Sequence, residues 1–343
     1  MASAASLRRV GFIGATGLMG HGMAKNLAKK GFPTTLLTRP NRARLEDIVA
    51  HGAVLAPTAA AVTRASDVVI LCVTGAPEVE EIVFGSDGIM SAARPGLVVV
   101  DSSTSEVASS TKTRNALAAV GVSFVDAPLT RTPAAAEDGK CNVMVGADTA
   151  TFAALRPVFA AYCENIIHAG PAGHGLVLKL INNFVGQAIT TATAEGLATA
   201  AKVGLDIRAL HELMSLGSVN NLMFQFMVKP MLDEGRLDGL KFSLSNAMKD
   251  LRAYTHLTES LTLPSHMGEA VHQALVQANA MGLGEKYIAS LITAQEKLAG
   301  ADGANVCFNV ARRPRAHANS RITRCCVTAG VTICPTQHAP PLK

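Results

Sequence analysis

The sequence predicts an α/β chain in which a doubly wound, mostly parallel sheet precedes an all-α region, the two joined by one long helix. Three observations predict it. A short apolar run, Arg9–Gly14, leads through a glycine-rich turn into a helical pattern. Later apolar runs such as Asp67–Val73 are continuous rather than alternating, as in strands covered on both faces. Beyond residue 176 the hydrophobic spacing is helical throughout. The 343 residues suit about two domains, and 49% hydrophobic against 17% charged residues supplies material for substantial cores.

The first strand, Arg9–Gly14, runs into Gly14-Ala15-Thr16-Gly17-Leu18-Met19-Gly20 and then a helix from His21 to Lys30. Strand, glycine turn and helix make up the dinucleotide-binding fingerprint of Rossmann-type folds. Glycines let the backbone approach a pyrophosphate, and the helix N-terminus offers it free N–H groups. Gly14, Ala15, Thr16, Gly17, Leu18, Met19 and Gly20 are therefore candidate cofactor contacts. The spacing is G-x-x-G-x-x-G, one residue longer than the usual G-x-G-x-x-G. The second strand, Thr34–Thr38, is followed by Arg39 rather than by the acid that holds a ribose 2′-hydroxyl. An arginine there suits a 2′-phosphate, which favours NADP and leaves NAD possible. A solvated basic turn is the plainer alternative.

Asp67–Val73 is the next strand, with the loop Thr74–Pro77 after it, and Gly96–Val100 feeds another that ends Asp101-Ser102-Ser103-Thr104. Ligands gather at the carboxyl ends of such strands. Val73, Thr74, Ser103 and Thr104 are candidates on that ground, the last two for the nicotinamide end. Ser103 and Thr104 also suit a cap for the helix starting near Glu106. Val122–Asp126 is a further strand, ending in Ala127-Pro128-Leu129-Thr130-Arg131-Thr132-Pro133. Arg131, between Thr130 and Thr132, is either an anion clamp for a substrate's carboxylate, sulfonate or phosphate or a surface arginine. A strand over Asn142–Gly146 and a helix over Thr149–Ala161 follow.

Gly173-His174-Gly175-Leu176-Val177-Leu178-Lys179-Leu180-Ile181-Asn182-Asn183 opens an apolar run that continues without proline to about Ala201, a long buried helix. Lys179 and Asn182 are three apart and share a face. Apolar neighbours make a charged lysine costly, so its pKa should fall, and a lysine so shifted exchanges protons near neutrality. The alternative is a lysine that snorkels to solvent. Helical spacing recurs over 206–216, 219–231, 244–260, 264–281 and 285–298. Within the third of these, Lys249 either pairs with Asp250 in solvent or reaches the cofactor. The resulting division is a dinucleotide-binding domain over 1–168, a helical substrate and oligomerisation domain over 169–300, and a disordered basic tail over 301–343. The tail's composition leaves open an interaction segment or a shifted reading frame.

Charge and cysteine usage exclude several classes. From residue 301 onward, six basic residues stand against one acidic, a net of +5 that equals the whole chain's excess. The body is therefore neutral and has no electrostatic case for nucleic acid or membrane. With no Trp, stacking on single strands is also disfavoured. Seven cysteines, an odd number without a Cys-x-x-Cys pair, make neither a disulfide framework nor a zinc site, so no metal is expected. The N-terminus lacks a signal h-region, and the 176–201 run carries too many polar residues for a membrane span. A reducing, cytoplasmic setting is expected, and the long apolar helices point to a homodimer or homotetramer.

Taken in order over about residues 8–300, these segments resemble the β-hydroxyacid dehydrogenase family, which includes 3-hydroxyisobutyrate dehydrogenases, tartronate semialdehyde reductases and sulfolactaldehyde reductases. GFIGATGLMGHGMAKNL is similar to the family's cofactor loop, and DSST at 101–104 to its nicotinamide-side motif. DAPLTRTPAAAEDGKCNVMVGA is similar to its substrate loop, GHGLVLKLINN to its catalytic helix, and Lys249-Asp250 to its late pair. The resemblance implies an NAD(P)-dependent oxidoreductase interconverting a short β-hydroxyacid, or a related anionic primary alcohol, and its semialdehyde. It implies that Lys179 donates and accepts the proton, that Asn182 holds substrate, and that Thr104 and Lys249 contact cofactor. Thr130 matches the start of the usual Ser-Gly-Gly that binds the substrate carboxylate. Here Thr130-Arg131-Thr132 replaces that tripeptide, similar to sulfolactaldehyde reductases, but Gly186 stands where those carry a serine. Tyr287 stands where many members have an aspartate, so the substrate stays open. Two rival readings remain. Imine reductases share the architecture but usually carry another residue at the Lys179 position; the other rival is a non-catalytic NADP-binding interaction protein.

Overall fold

The computed structural model describes residues 9–38 and 42–300. Arg39 and the segment 301–343, and with them the expectations about a 2′-phosphate contact and a basic tail, lie outside the described residues.

Among the described residues, nine strands form one sheet. They are β1 (Val10–Ile13), β2 (Thr34–Leu37), β3 (Val54–Ala56), β4 (Val68–Leu71), β5 (Val98–Asp101), β6 (Ser123–Asp126), β7 (Leu129–Thr130), β8 (Cys141–Gly146) and β9 (Cys163–Gly170). Their order is β3-β2-β1-β4-β5-β6-β8-β7, with β9 beside β8. The first six are parallel, and their order reverses between β1 and β4, the crevice where doubly wound folds bind dinucleotides. β8 runs antiparallel to β6 and β7.

Successive side chains of each strand feed opposite cores. Val10, Phe12, Val68, Ile70, Val98 and Val100 pack on one face with Met23 and Leu27 of the helix Leu18–Lys29. Ile13, Val69, Leu71 and Val99 pack on the other with Val62, Val83 and Leu117. Both faces are covered, which is why the strand sequences read as unbroken apolar runs.

After the sheet come the long helix His174–Lys202 and helices Ile207–Leu216, Leu222–Glu234, Leu244–Ser260, His266–Ala278 and Leu291–Leu298. Leu197, Phe224, Met227, Met231, Leu244, Leu251, Leu275 and Leu291 form their common core. The fold is thus the α/β sheet followed by helices that the sequence predicts. Several boundaries differ for local reasons. The first helix starts at Leu18 rather than His21, with Gly17 as its N-cap, so the end of the glycine turn is already helical. The helix expected from 219 starts at Leu222 because the Asn221 side chain accepts from the Phe224 N–H and caps it. Strands β3, β7 and β9 are not anticipated. Two of them span two or three residues, and β9 is largely exposed, so none carries an apolar run to read.

Asp126, at the carboxyl end of β6, seats the long helix. It is buried, and its two carboxylate oxygens accept from the Gly173 N–H at 2.5 Å and the Leu176 N–H at 2.7 Å. A carboxylate at a helix N-terminus satisfies orphan donors and opposes the helix dipole. Burial pushes the Asp126 carboxyl pKa up, and these backbone bonds pull against it. Next to it, a Cβ on Gly175 would lie 2.3 Å from the Met144 carbonyl oxygen, so only glycine lets the helix rest directly on β8. Leu176, and Leu180 one turn later, pack with Ala253, Val107 and Leu257.

Replacing Asp126 with Ala removes two charge-assisted bonds and strands their donors, which should cost about 3 kcal/mol. Urea denaturation measures it; a midpoint equal to that of the parent protein would contradict the anchor.

Candidate active site

The glycine turn lies tightly against the end of a strand. Gly14 sits at φ +106°, and a Cβ there would lie 2.1 Å from the Cys72 carbonyl oxygen, so the turn presses against the end of β4. The Gly17 N–H closes it onto the Gly14 carbonyl at 3.0 Å. Ala15 and Gly20 are buried, Thr16 and Met19 half-buried, and Gly17 and Leu18 exposed. No side chain caps the following helix, so its first N–H groups have no side-chain acceptor. A backbone cradle with uncapped donors and no acidic first turn fits a pyrophosphate.

At the neighbouring strand ends, the Val73 N–H donates to the Ser103 hydroxyl at 3.0 Å, and the Ser103 N–H donates to Asp101 at 2.9 Å. Ser103 is thus a tie between the β4 and β5 ends. Neither it nor Thr104 caps the next helix, whose N-cap is Glu106 without a side-chain bond. Burial pushes the Asp101 carboxyl up to about 6; the Ser103 bonds and Lys249 oppose this, while Asp126 adds to it. Thr74 is exposed beside them.

Lys249 joins the helices to these strand ends. Its Nζ donates to the Thr104 carbonyl at 2.5 Å and to Asp250 Oδ1 at 2.7 Å. Asp250 is buried, and its Oδ2 accepts from Asn183 Nδ2 at 2.7 Å. Asn182 then donates to Asn183 Oδ1 at 3.2 Å. The chain of contacts therefore runs from β5 through Lys249 and Asp250 to the long helix, beside Lys179. Lys179 is half-buried, and burial pulls its pKa below the ordinary 10.5. Asp250 works against that shift and Lys249 works with it. Thr104, Lys249, Asn182 and Lys179 are thus brought together. Sequence reasoning did not assign Asp250, Asn183 or Asp126 to the site. Their signals were an acid next to Lys249, a second asparagine after Asn182, and an acid at a strand end.

The Thr130–Thr132 loop makes its bonds elsewhere. Thr130 accepts from Asn142 at 3.1 Å. Arg131 has φ +81°, is paired with Glu164 on β9, and donates to the Lys140 carbonyl at 2.8 Å. Thr132 caps the short helix Pro133–Glu137 through the Ala135 N–H. Among the described residues no group of three His, Cys, Asp or Glu could hold a metal, and no helix is long and apolar enough to cross a membrane.

Comparison with known proteins agrees with this layout. Residues 9–170 match the family described as the NAD binding domain of 6-phosphogluconate dehydrogenase. Residues 173–294 match the one described as NAD-binding of NADP-dependent 3-hydroxyisobutyrate dehydrogenase. A 2-(hydroxymethyl)glutarate dehydrogenase of Eubacterium barkeri is 30% identical over 85% of this chain and 96% of its own length. Glyoxylate/succinic semialdehyde reductase 1 of Arabidopsis thaliana is 28% identical over 83% of this chain and 97% of its own length. The crystal structure of a 3-hydroxyisobutyrate dehydrogenase from Salmonella typhimurium superposes with a TM-score of 0.73 at 25% identity, covering 83% of this chain and 99% of that one.

A neutral isostere should relieve the desolvated charge. Lys179→Met should raise Tm at neutral pH, by about 2–4 °C per kcal/mol relieved. Between the lowered folded pKa and 10.5 the unfolded chain binds more protons at this site, so its contribution to stability grows as pH rises. That rise should be missing in the variant; a lower Tm for Lys179→Met would contradict the buried-charge account.

Proposed function

The chain belongs to the β-hydroxyacid dehydrogenase family, and from that premise we propose that it interconverts a short β-hydroxyacid, or a related anionic primary alcohol, with its semialdehyde, using NADP or NAD. The observation that carries the reading is Lys179. It is a half-buried lysine with a lowered pKa beside the Lys249–Asp250 pair, next to the strand ends where a dinucleotide fold keeps its cofactor. Relatives named as a hydroxymethylglutarate dehydrogenase and a semialdehyde reductase support the substrate class.

The Gly14–Gly20 turn would hold the dinucleotide, with Val73, Thr74, Ser103, Thr104 and Lys249 around it. When bound, the dinucleotide supplies the hydride in reduction and accepts it in oxidation. Lys179 Nζ handles the proton. Protonated, it gives a proton to the aldehyde oxygen; neutral, it takes one from the hydroxyl in the reverse direction. Its lowered pKa brings both forms closer to neutral pH. Asn182, one turn on, orients the same oxygen. Thr130, Arg131 and Thr132 hold the acid group. Arg131 must leave Glu164 to do so, but a half-exposed ion pair is worth only about 0–1 kcal/mol, so an incoming anion can take its place. Positioning of this kind, rather than any single bond, supplies much of the rate.

We assign a dinucleotide-binding domain to residues 1–168, which also lends the 130–132 loop to the substrate, and a helical substrate and oligomerisation domain to 169–300, whose Lys249 reaches back toward the cofactor. The sheet's end at Gly170 and the long helix's start at His174 support that division. Free Cys72, Cys141 and Cys163 suit a reducing, cytoplasmic setting. Leu213, Leu216, Val219 and Leu222 are all more than half exposed, a cluster of apolar side chains that suits a homodimer or homotetramer. Light scattering on the purified chain checks this, and a monomer mass at micromolar concentration would rule it out.

Lys179→Ala should lower kcat by roughly 10²–10⁴. In the parent enzyme, oxidation should rise and reduction fall as pH climbs through the Lys179 pKa, and the variant should lose that limb. NADPH oxidation, followed by absorbance over semialdehydes bearing carboxylate, sulfonate or phosphate, supplies the assay. Near-normal turnover by the variant would refute the lysine's role. NADPH binding without turnover of any member would favour a non-catalytic module.

A further inference from the structure

The loop Thr130–Thr132 leads into the short helix Pro133–Glu137, and that helix is fastened to the helix that carries the glycine turn. The fastening is close. A Cβ on Gly22 would lie 2.4 Å from the Ala136 carbonyl carbon and the Glu137 nitrogen, so the two backbones touch. One turn further on, the buried Asn26 side chain sits on the same seam. Its Nδ2 donates to the Ala136 carbonyl at 2.9 Å, the Glu137 carbonyl at 3.0 Å and its own helix's Gly22 carbonyl at 2.8 Å. Outside this, Glu137 accepts from Lys25 at 3.4 Å, and its other oxygen lies 2.5 Å from His21 Nδ1. His21 Nε2 and Lys25 also meet Asp47, at 3.0 and 2.9 Å. The short helix has five residues and ends in a turn at Gly139, too little structure to hold a position alone.

We propose that Asn26 is a positioning residue for the substrate: by holding the Ala136 and Glu137 carbonyls, it sets where Thr130, Arg131 and Thr132 stand relative to the glycine turn. The inference rests on the reading of 130–132 as the loop that holds the substrate's acid group. Both partners of the reaction then hang from one helix, the dinucleotide at its N-terminus and the substrate loop two turns along. Asn26 is the side chain suited to the seam. Its amide offers donors to converging carbonyls, and its small volume fits where Gly22 has brought the backbones together. Glu137, His21 and Lys25 form an outer brace on the same seam.

The test is Asn26→Asp, which keeps the volume and turns a donor toward three carbonyls into an acceptor. Steady-state kinetics with the best semialdehyde, NADPH affinity by fluorescence and Tm are measured together. KM should rise and kcat/KM should fall on the order of 10-fold or more, since misplacement of about 1 Å costs up to 100-fold in rate. The NADPH Kd should stay within about twofold. Glu137→Gln, at a half-exposed site, folds more readily and should raise KM by a smaller factor; it decides the matter if Asn26→Asp does not fold. Thr130→Ala separates this inference from the reading beneath it. If Thr130→Ala raises KM while the folded Asn26 and Glu137 variants keep the parent KM, the positioning role is overturned. A fall in kcat in step with lost folded protein, at constant KM, would reduce Asn26 to a purely structural residue and overturn it too. If Thr130→Ala leaves KM unchanged, the loop reading has failed and the positioning role falls with it.

Discussion

The carboxylate of Asp126 holding the N–H groups of Gly173 and Leu176 is the contact on which the rest of the site depends. Every functional group assigned to the long helix follows from where that helix begins. Lys179 and Asn182 lie within three turns of the anchored N–H groups, so an axial slip of one residue, about 1.5 Å, would carry both off their partners. The anchor works because Gly175 lets the helix backbone lie against the Met144 carbonyl without a side chain between them. A second clamp, Lys249 on the Thr104 carbonyl, ties the Leu244–Ser260 helix to the next strand end. Two strand ends thus each hold one helix, and Lys179 stands beside the pair.

These contacts are costly in isolation. Asp101, Asp126 and Asp250 are each buried at or beside the carboxyl edge of the sheet, and Lys179 and Lys249 are drawn in among them. Burial raises the pKa of Asp101 and Asp126 and lowers that of Lys179, so each group is held in an environment that disfavours its charge. Asp126 offsets its burial by satisfying the helix N-terminus, but a lysine drawn in beside a buried carboxylate can often be replaced by hydrophobic residues without loss. Perturbed groups gathered at a strand-end crevice are what proton chemistry requires, and the stability forgone here is offset by the two large cores of the sheet and by the helical core.

Much of this was legible in the chain. The parallel sheet announced itself through unbroken apolar runs, and the helix of Lys179 through its length and lack of proline. The glycine turn was legible because only glycine tolerates the Gly14 conformation and its approach to Cys72. Less could be read where the cause lies far away in sequence. Asp126 is an ordinary strand-ending acid until Gly173 and Leu176 are folded onto it, 47 and 50 residues later. The partnership of Asn183 with Asp250 spans 67 residues, and that of Arg131 with Glu164 spans 33. Strand β9 carries no apolar signal because it lies half in solvent, and only its pairing with β8 makes it a strand.

The central claim is that an anchored helix keeps one lysine partly desolvated and ready to exchange a proton. Direct titration of Lys179 by NMR, with carbon-13 at Cε and Lys179→Met to assign the signal, tests it most squarely. In the intact enzyme Lys179 should titrate below 10.5, and loosening the helix with Asp126→Ala should move it back toward that value. A Lys179 that titrates at 10.5 in the intact enzyme would contradict the account.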